Sequence, residues 1–319
     1  MSVNNEFKLL QFFSVDIIGA TALKVTAPGS RVPEWAHRFR TFYKEFPEYF
    51  RTAYQNLPTE IPQENRPAEF PQVWKFNGDE ILLFVELKKH TDVLSHMLAL
   101  MEAAKKWRTH PIQEHSKPLG VKLTSWVAGF PIINTEVVIE LHNSKTILRD
   151  FIGPRVDLGF RLASLADERF IPISVELALM LLDSFTTFSS EELCYLDYLD
   201  RRPLKGITNN APYPLFVVDM EQRKSTPEDR IKINANKRPF DLSRARNFCI
   251  EFLKNSEIPR PFIVGELHPD YQNIPEDIQN AYAQICQNEN LLKQDDLADV
   301  QKPKHTPENI KLKDNENPS

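Results

Sequence analysis

The spacing of apolar residues changes period repeatedly over the first two-thirds of the chain, and each change marks an element. Residues 8–18 are predominantly apolar and β-branched, which predicts a buried strand running into VDIIGA. Over 32–54 the aromatics Trp35, Phe39, Phe42 and Phe46 recur at helical spacing, so a helix follows, with an interruption expected at Pro47. The polar, proline-rich LPTEIPQENRPAEFPQ after it predicts a loop. In WKFNGDEILLFVEL, Trp74 and Phe76 alternate with Val73, Lys75 and Asn77, and Ile81 to Val85 form an apolar run. That predicts a β-hairpin turning at Asn77-Gly78.

A helix over 91–107 carries Val93, Met97, Leu98, Met101 and Ala104 on one face, and strands follow at 121–130 and 137–141. From about Arg155 the pattern is helical again, with Pro154 where a helix tolerates it. A strand at 171–173, a helix at 175–182 and a strand pair within 204–220 complete the series. The order β-α-β-β-α-β with later additions is the ferredoxin-like α+β pattern, an antiparallel sheet with helices on one side. It predicts one domain over residues 1–220. Residues 221–240 are charged and poor in large apolar groups, and Leu242, Ala245, Phe248, Cys249 and Phe252 then mark a helix over 241–254. With a second helix within 275–292, residues 221–298 read as a linker and helical extension, and 299–319 as a disordered tail.

Composition narrows the possible functions. A chain of 319 residues with 41% hydrophobic residues can build a sizeable core. A net charge of −5 supplies no basic face to displace counterions, so nucleic acid is not an expected partner. Cys194, Cys249 and Cys286 follow no CxxC spacing, which suits a reducing compartment and argues against a disulfide framework or structural zinc. No apolar run approaches the ~18 residues of a membrane span, and the first twenty residues lack a basic segment followed by a long apolar one. The expectation is a cytoplasmic protein without membrane insertion.

Two acids stand out by position. Asp16 ends the first strand and Asp79 sits at the hairpin apex. A Gly-Asp pair is also ordinary turn chemistry, and that reading stays open. In a ferredoxin-like sheet, however, the first strand lies beside the central hairpin, so the two carboxylates meet at one edge. Converging acids repel unless a divalent cation bridges them, and hard oxygen donors favour Mg²⁺ or Mn²⁺. That arrangement suits phosphoryl transfer.

Four segments, VDIIGAT (15–21), KFNGD (75–79), DFIGPRVDLGFR (150–161) and PLKGI (203–207), resemble in order the signature segments of class III nucleotidyl cyclases, which make 3′,5′-cyclic nucleotides from nucleoside triphosphates. The resemblance spans residues 8–220 and lies in the ordered combination, each segment alone being weak. Within that family the chain most resembles the stand-alone pyrimidine cyclases of bacterial Pycsar antiphage systems. The resemblance implies two Mn²⁺ or Mg²⁺ ions per site, held by Asp16, Asp79 and the backbone carbonyl of Ile17. It implies that Lys75 and Asp150 read the base, that Arg161 stabilises transition-state charge and that Lys205 grips the phosphates. Asp157 stands where the family usually has Asn; being acceptor-only when ionised, it is left to a ribose hydroxyl or to pairing with Arg155 or Arg161. The resemblance further implies a head-to-tail homodimer with the sites at its interface.

The activity expected on this basis is conversion of UTP to cyclic UMP and pyrophosphate, a second messenger for antiphage defence read by a separate cyclic-nucleotide-binding effector. An adenylate cyclase making cyclic AMP is the alternative, since a Lys and Asp pair serves adenine as readily as uracil. A catalytically silent nucleotide-binding or dimerisation module is the third reading. Tyr43 and Tyr49 are open to a role in filling a small-base pocket or to ordinary helix packing. His90, His96, His110, His115 and His142 show no ligand spacing.

Overall fold

The computed structural model describes residues 7–25, 34–113, 119–140, 147–189, 192–207, 211–221 and 241–286. The elements are β1 (Lys8–Ile17), α1 (Ala20–Val25), α2 (Glu34–Ala53), β2 (Gln72–Asn77), β3 (Glu80–Glu86), α3 (Asp92–Arg108), β4 (Val121–Phe130), β5 (Thr135–Glu140), β6 (Ile147–Ile152), α4 (Pro154–Ala163), β7 (Phe170–Ile173), α5 (Val175–Phe188), β8 (Leu196–Pro203), β9 (Pro212–Asp219) and α6 (Leu242–Asn255).

β1 is bonded along its length to β3 on one side and β4 on the other, both antiparallel. The main sheet has the order β2-β3-β1-β4-β7-β9-β8, and β5 and β6 form a separate two-stranded ribbon. The first four strands with α2 and α3 make the βαββαβ unit of the ferredoxin-like pattern, so the α+β class is as the sequence predicts. β4 and β7 pair parallel, while β7–β9 and β8–β9 are antiparallel.

The two faces of β1 differ. Leu9, Phe13, Val15 and Ile17 join a large core with Phe42, Phe46 and Phe50 of α2, Met97 and Leu100 of α3, and Leu177 and Leu181 of α5. Leu10 and Phe12 face the other way, into a smaller aromatic cluster with Phe84, Trp126, Phe130, Phe151 and Val156. Helices are therefore not confined to one side: α4 and the β5–β6 ribbon cover the second face. At Gly159 a Cβ would collide with the Trp126 ring, so only glycine lets α4 lie this close.

Three local expectations change. α2 runs through Pro47 without a break; its aromatic face stays buried from Phe39 to Phe50, which outweighs one lost backbone bond. The hairpin turns at Gly78-Asp79, because Asn77 pairs with Glu80. Gly78 takes φ +69°, the positive value needed at the first position of a two-residue hairpin loop. The last strand pair is β8–β9, with β8 ending before Leu204; the alternation in LDYLDRRP is too polar to signal a half-exposed edge strand.

α6 is pinned to α5 by charge. Arg246 Nε stands 2.5 Å from Asp183 Oδ1, and Tyr271 Oη donates to Asp183 Oδ2 at 2.6 Å. Cys249 and Leu253 are buried beneath it. Residues up to Pro275 belong to the same compact unit as the sheet; residues 276–286 form a helix in a second unit. The linker expected at 221–240, the far end of the helix expected at 275–292 and the tail at 299–319 lie outside the described residues, apart from Glu221.

Glu266 ties this C-terminal segment to the loop before α3, accepting from the His90 N–H at 2.6 Å and from His90 Nδ1 at 3.0 Å. Burial pushes its pKa up, but the His90 contacts and the backbone N–H groups of His268 and Leu267 overcome this and bring it from 4.5 down to about 2. A carboxyl with a depressed folded-state pKa stabilises the fold above its unfolded value and loses that contribution as pH falls through the folded one. Urea unfolding should therefore find Glu266→Gln less stable than wild type at neutral pH, with the gap closing between about pH 4.5 and 2.

Candidate active site

Strand parity carries Asp16 to the second face. Leu10, Phe12, Ser14 and Asp16 point alternately away from the helical core, and Asp16 lies opposite Glu80 of β3 and Lys122 of β4. The hairpin tip folds onto the end of β1, where the Ile17 N–H donates to the Asp79 carbonyl at 3.3 Å. Both acids predicted as metal ligands, together with the Ile17 backbone, thus meet at one end of the sheet.

Each carboxylate already faces a cation. Lys122 Nζ is 2.8 Å from Asp16 Oδ2, and Lys24 Nζ of α1 is 3.4 Å from Asp79 Oδ1. Tyr43 of α2 donates its hydroxyl to the Gly78 carbonyl and packs on Phe76 with ring centres 4.7 Å apart. Burial, then the charges of Asp79 and Asp16, raise its phenol above the ordinary value, which places both acids within electrostatic reach of one group. A cleft of about 190 Å³ opens beside Asp16, lined by Ser14, Glu80, Lys122 and Thr124 of the sheet, by Phe160 and Ala163 of α4 and by Ser164 just after it. Within it Ser14 Oγ donates to Glu80 Oε1, and Asn77 Nδ2 donates to Glu80 Oε2 at 3.2 Å.

These residues suit a hard divalent cation as an incomplete ligand set. Two carboxylates converge beside lysine ammonium groups that a cation would displace. Among the described residues no three of His, Cys, Asp and Glu are grouped to hold a metal without help. The rest of a cation's shell would have to come from water or from oxygen atoms of a ligand.

Lys75 and Asp150, from segments 75 residues apart, meet at 2.8 Å. The Asp150 oxygen that Lys75 contacts also accepts from Trp74 Nε1 at 3.0 Å and from the Phe151 N–H at 3.0 Å. Burial acts to raise the Asp150 carboxyl, but Lys75, the Phe151 N–H and Trp74 together hold it below its ordinary value.

α4 starts at Gly153, φ +143°, followed by Pro154. A Cβ at Gly153 would meet the Asn134 side chain, whose Oδ1 accepts from the Arg155 N–H at 3.0 Å. This buried cap sets the helix on the sheet so that Asp157 and Arg161, four residues apart, are exposed on one side of it. Arg155 turns inward to Glu176 at 3.3 Å. Among the described residues no ion pair joins Asp157 to Arg155 or Arg161. Lys205 is exposed in the turn after β8, four strand positions from β1, or roughly 19 Å at the usual spacing. One chain thus gathers the Asp16 and Asp79 pair and the Lys75 and Asp150 pair, while Arg161 is exposed on α4, the helix that lines the cleft beside Asp16, and Lys205 lies at the far side of the sheet.

Trp74, Lys122, Lys24 and Asn134 carry no sequence signal of a site role; each is ordinary for its element and acquires its contact through pairing register. Tyr49 packs away from the site, its ring 6.0 Å from His110. His96 is buried and shares Nδ1 with Tyr54 Oη at 2.6 Å, and burial lowers its pKa to about 3. His115 and His142 lie outside the described residues. No helix among the described residues is long and apolar enough to cross a membrane.

The closeness of Tyr43 to both acids is open to direct test. In protein with ring-labelled tyrosine, Asp79→Asn should lower the Tyr43 pKa followed by NMR, yet leave it above the ordinary value, because burial is the larger cause and Asp16 remains.

No protein-family model and no curated protein matches the chain. Among solved structures it is similar to the adenylyl cyclase CyaB from P. aeruginosa, with 17% identity over 67% of this chain and 94% of that one, at TM-score 0.47. The guanylyl cyclase Cya2 matches at 15% identity over 69% and 93%, TM-score 0.46. The guanylate cyclase domain of RhGC from Catenaria anguillulae, in complex with GTP, matches at 13% identity over 67% and 97%, TM-score 0.44.

Proposed function

We propose that the chain is a metal-dependent class III nucleotidyl cyclase that converts UTP to 3′,5′-cyclic UMP and pyrophosphate. The observation that carries the reading is that Lys75 and Asp150, assigned as a base-reading pair from two separate motifs, lie 2.8 Å apart on the sheet face that also bears Asp16. The ordered motif resemblance supports it independently.

In this reading the ribose 3′-oxygen attacks the α-phosphorus, its proton leaves and pyrophosphate departs. Asp16, Asp79 and the Ile17 carbonyl would hold two Mn²⁺ or Mg²⁺ ions, which when bound would lower the pKa of the 3′-hydroxyl and offset the charge of the triphosphate. Lys75 donates to a uracil carbonyl and Asp150 accepts from the ring N–H. Charge migrates toward the β- and γ-phosphates as the bond breaks. Arg161 meets it with a fixed fork of donors and Lys205 with a point charge. Asp157 takes a ribose hydroxyl. As the resemblance implies, the complete site is assigned to a head-to-tail homodimer, with the metal ligands from one chain and the base-reading and transition-state groups from its partner.

The product acts as a second messenger for a separate effector in antiphage defence within the cytoplasm, as the Pycsar resemblance implies. Cyclic AMP synthesis is the second reading, favoured by the same Lys75–Asp150 pair, which matches the N1 and amino group of adenine equally well.

Incubation with Mn²⁺ and each of the four ribonucleoside triphosphates, followed by mass spectrometry, should yield cyclic UMP from UTP. Cyclic AMP alone would establish the second reading, and no cyclic product from any triphosphate would leave a silent module. Asp79→Ala should abolish synthesis while changing stability by less than about 1 kcal/mol, since a partly exposed hairpin-tip carboxylate paired with Lys24 contributes little to the core. A folded variant with full activity would remove the metal assignment.

A further inference from the structure

The register of β2 shifts between Val73 and Lys75. Strict alternation would send Trp74 and Lys75 to opposite faces, and the bulge breaks it. Lys75 comes to stand opposite Leu82, which belongs to the same aromatic face as Phe12 and Trp126, and Trp74 packs on that face too. The consequence is an unusual pair of sequence neighbours lying side by side. Lys75 Nζ sits 4.1 Å from the centre of the Trp74 ring. Both residues donate to one atom, Asp150 Oδ1, and the Phe151 N–H is a third donor to it. Oδ1 is thereby committed, and Oδ2 is the oxygen the carboxylate has left to offer.

A tryptophan needed only to fill the cluster has no cause to aim its N–H at a half-exposed carboxylate; phenylalanine, used at positions 12, 84, 130 and 151, fills the same space without a polar atom. We propose that Trp74 is the positioning residue of the base-reading pair, fixing Lys75 and Asp150 so that one ammonium and one carboxylate oxygen face the nucleobase edge together. This rests on the assignment of Lys75 and Asp150 as the base readers. Trp74 acts through them and does not touch the nucleotide. Its ring is held by edge contacts to Phe12 and Phe151, with centres 5.6 and 5.2 Å away, so the device is anchored in the core while the two readers remain half-exposed. The arrangement suits a base presenting a donor beside an acceptor. Pre-ordering the readers removes the entropy cost of gathering them when the ligand arrives.

The test reads binding, not turnover. 3′-Deoxyuridine and 3′-deoxyadenosine triphosphates lack the attacking hydroxyl and stay intact, so calorimetric titration with Mn²⁺ present measures base recognition alone. Trp74→Phe keeps an aromatic ring for the cluster and for Lys75 but loses the N–H. It should weaken the preferred triphosphate about tenfold and narrow the preference between the two, with an unchanged far-ultraviolet circular dichroism spectrum showing that the fold is kept. The Trp74→Phe/Asp150→Ala double variant should bind no more weakly than Asp150→Ala, because the indole works through that carboxylate. Wild-type affinity for both triphosphates in Trp74→Phe, or a loss that adds in full to that of Asp150→Ala, would overturn the proposal and leave the base-reader assignment intact. A wild-type protein that binds neither triphosphate would overturn both.

Discussion

Everything at the candidate site depends on β1 being paired along both edges. A strand bonded on both sides cannot slip by one residue without turning Phe13, Val15 and Ile17 out of the main core and driving Ser14 and Asp16 into it. The hydrophobic effect therefore holds Asp16 on the second face more firmly than any contact of Asp16 itself. The same argument runs through β3 and β4, whose alternation delivers Glu80 and Lys122 to the cleft while Ile81, Leu83, Leu123 and Val127 are buried opposite.

The polar groups on that framework are weakly held by comparison. Lys122–Asp16 and Lys24–Asp79 are partly exposed pairs, of a kind worth about 0–1 kcal/mol. In the proposed reading, a divalent cation competing for the same oxygens would meet little resistance from them, and the lysines would stay close by as counter-charges for the triphosphate. Arg246–Asp183 is a different kind of contact. Asp183 is nearly buried and takes Tyr271 as well, so it fastens the C-terminal segment of the compact unit to α5, remote from the cleft in the fold.

Three backbone irregularities lie around the candidate site. The bulge in β2 re-aims Lys75, Gly78 allows the tight tip that presents Asp79, and Gly153 with Asn134 starts α4 against the sheet. None of these features enlarges the core. Their common effect is to place polar side chains at the rim of an aromatic layer whose rings are locked against one another, a rigid base for groups that must hold a fixed geometry.

The βαββαβ order, the long helices and the position of Asp16 were legible in the sequence, because each follows from a hydrophobic period that burial enforces. Asp79 was legible as a hairpin apex, although the turn itself slid by one residue, a shift that Gly78 tolerates and that leaves no trace in composition. Pro47 misled in the other direction: a buried aromatic face held α2 together across it. β8 was missed because an edge strand can be polar on both faces. What the tertiary structure alone decided was partnership. Asp150 sits in a ribbon outside the main sheet, and its meeting with Lys75 and Trp74 depends on a bulge and on α4 packing through Gly159 against Trp126. Lys122 faces Asp16 through antiparallel register. Such pairings are set by long-range contacts between elements, which local periodicity does not encode.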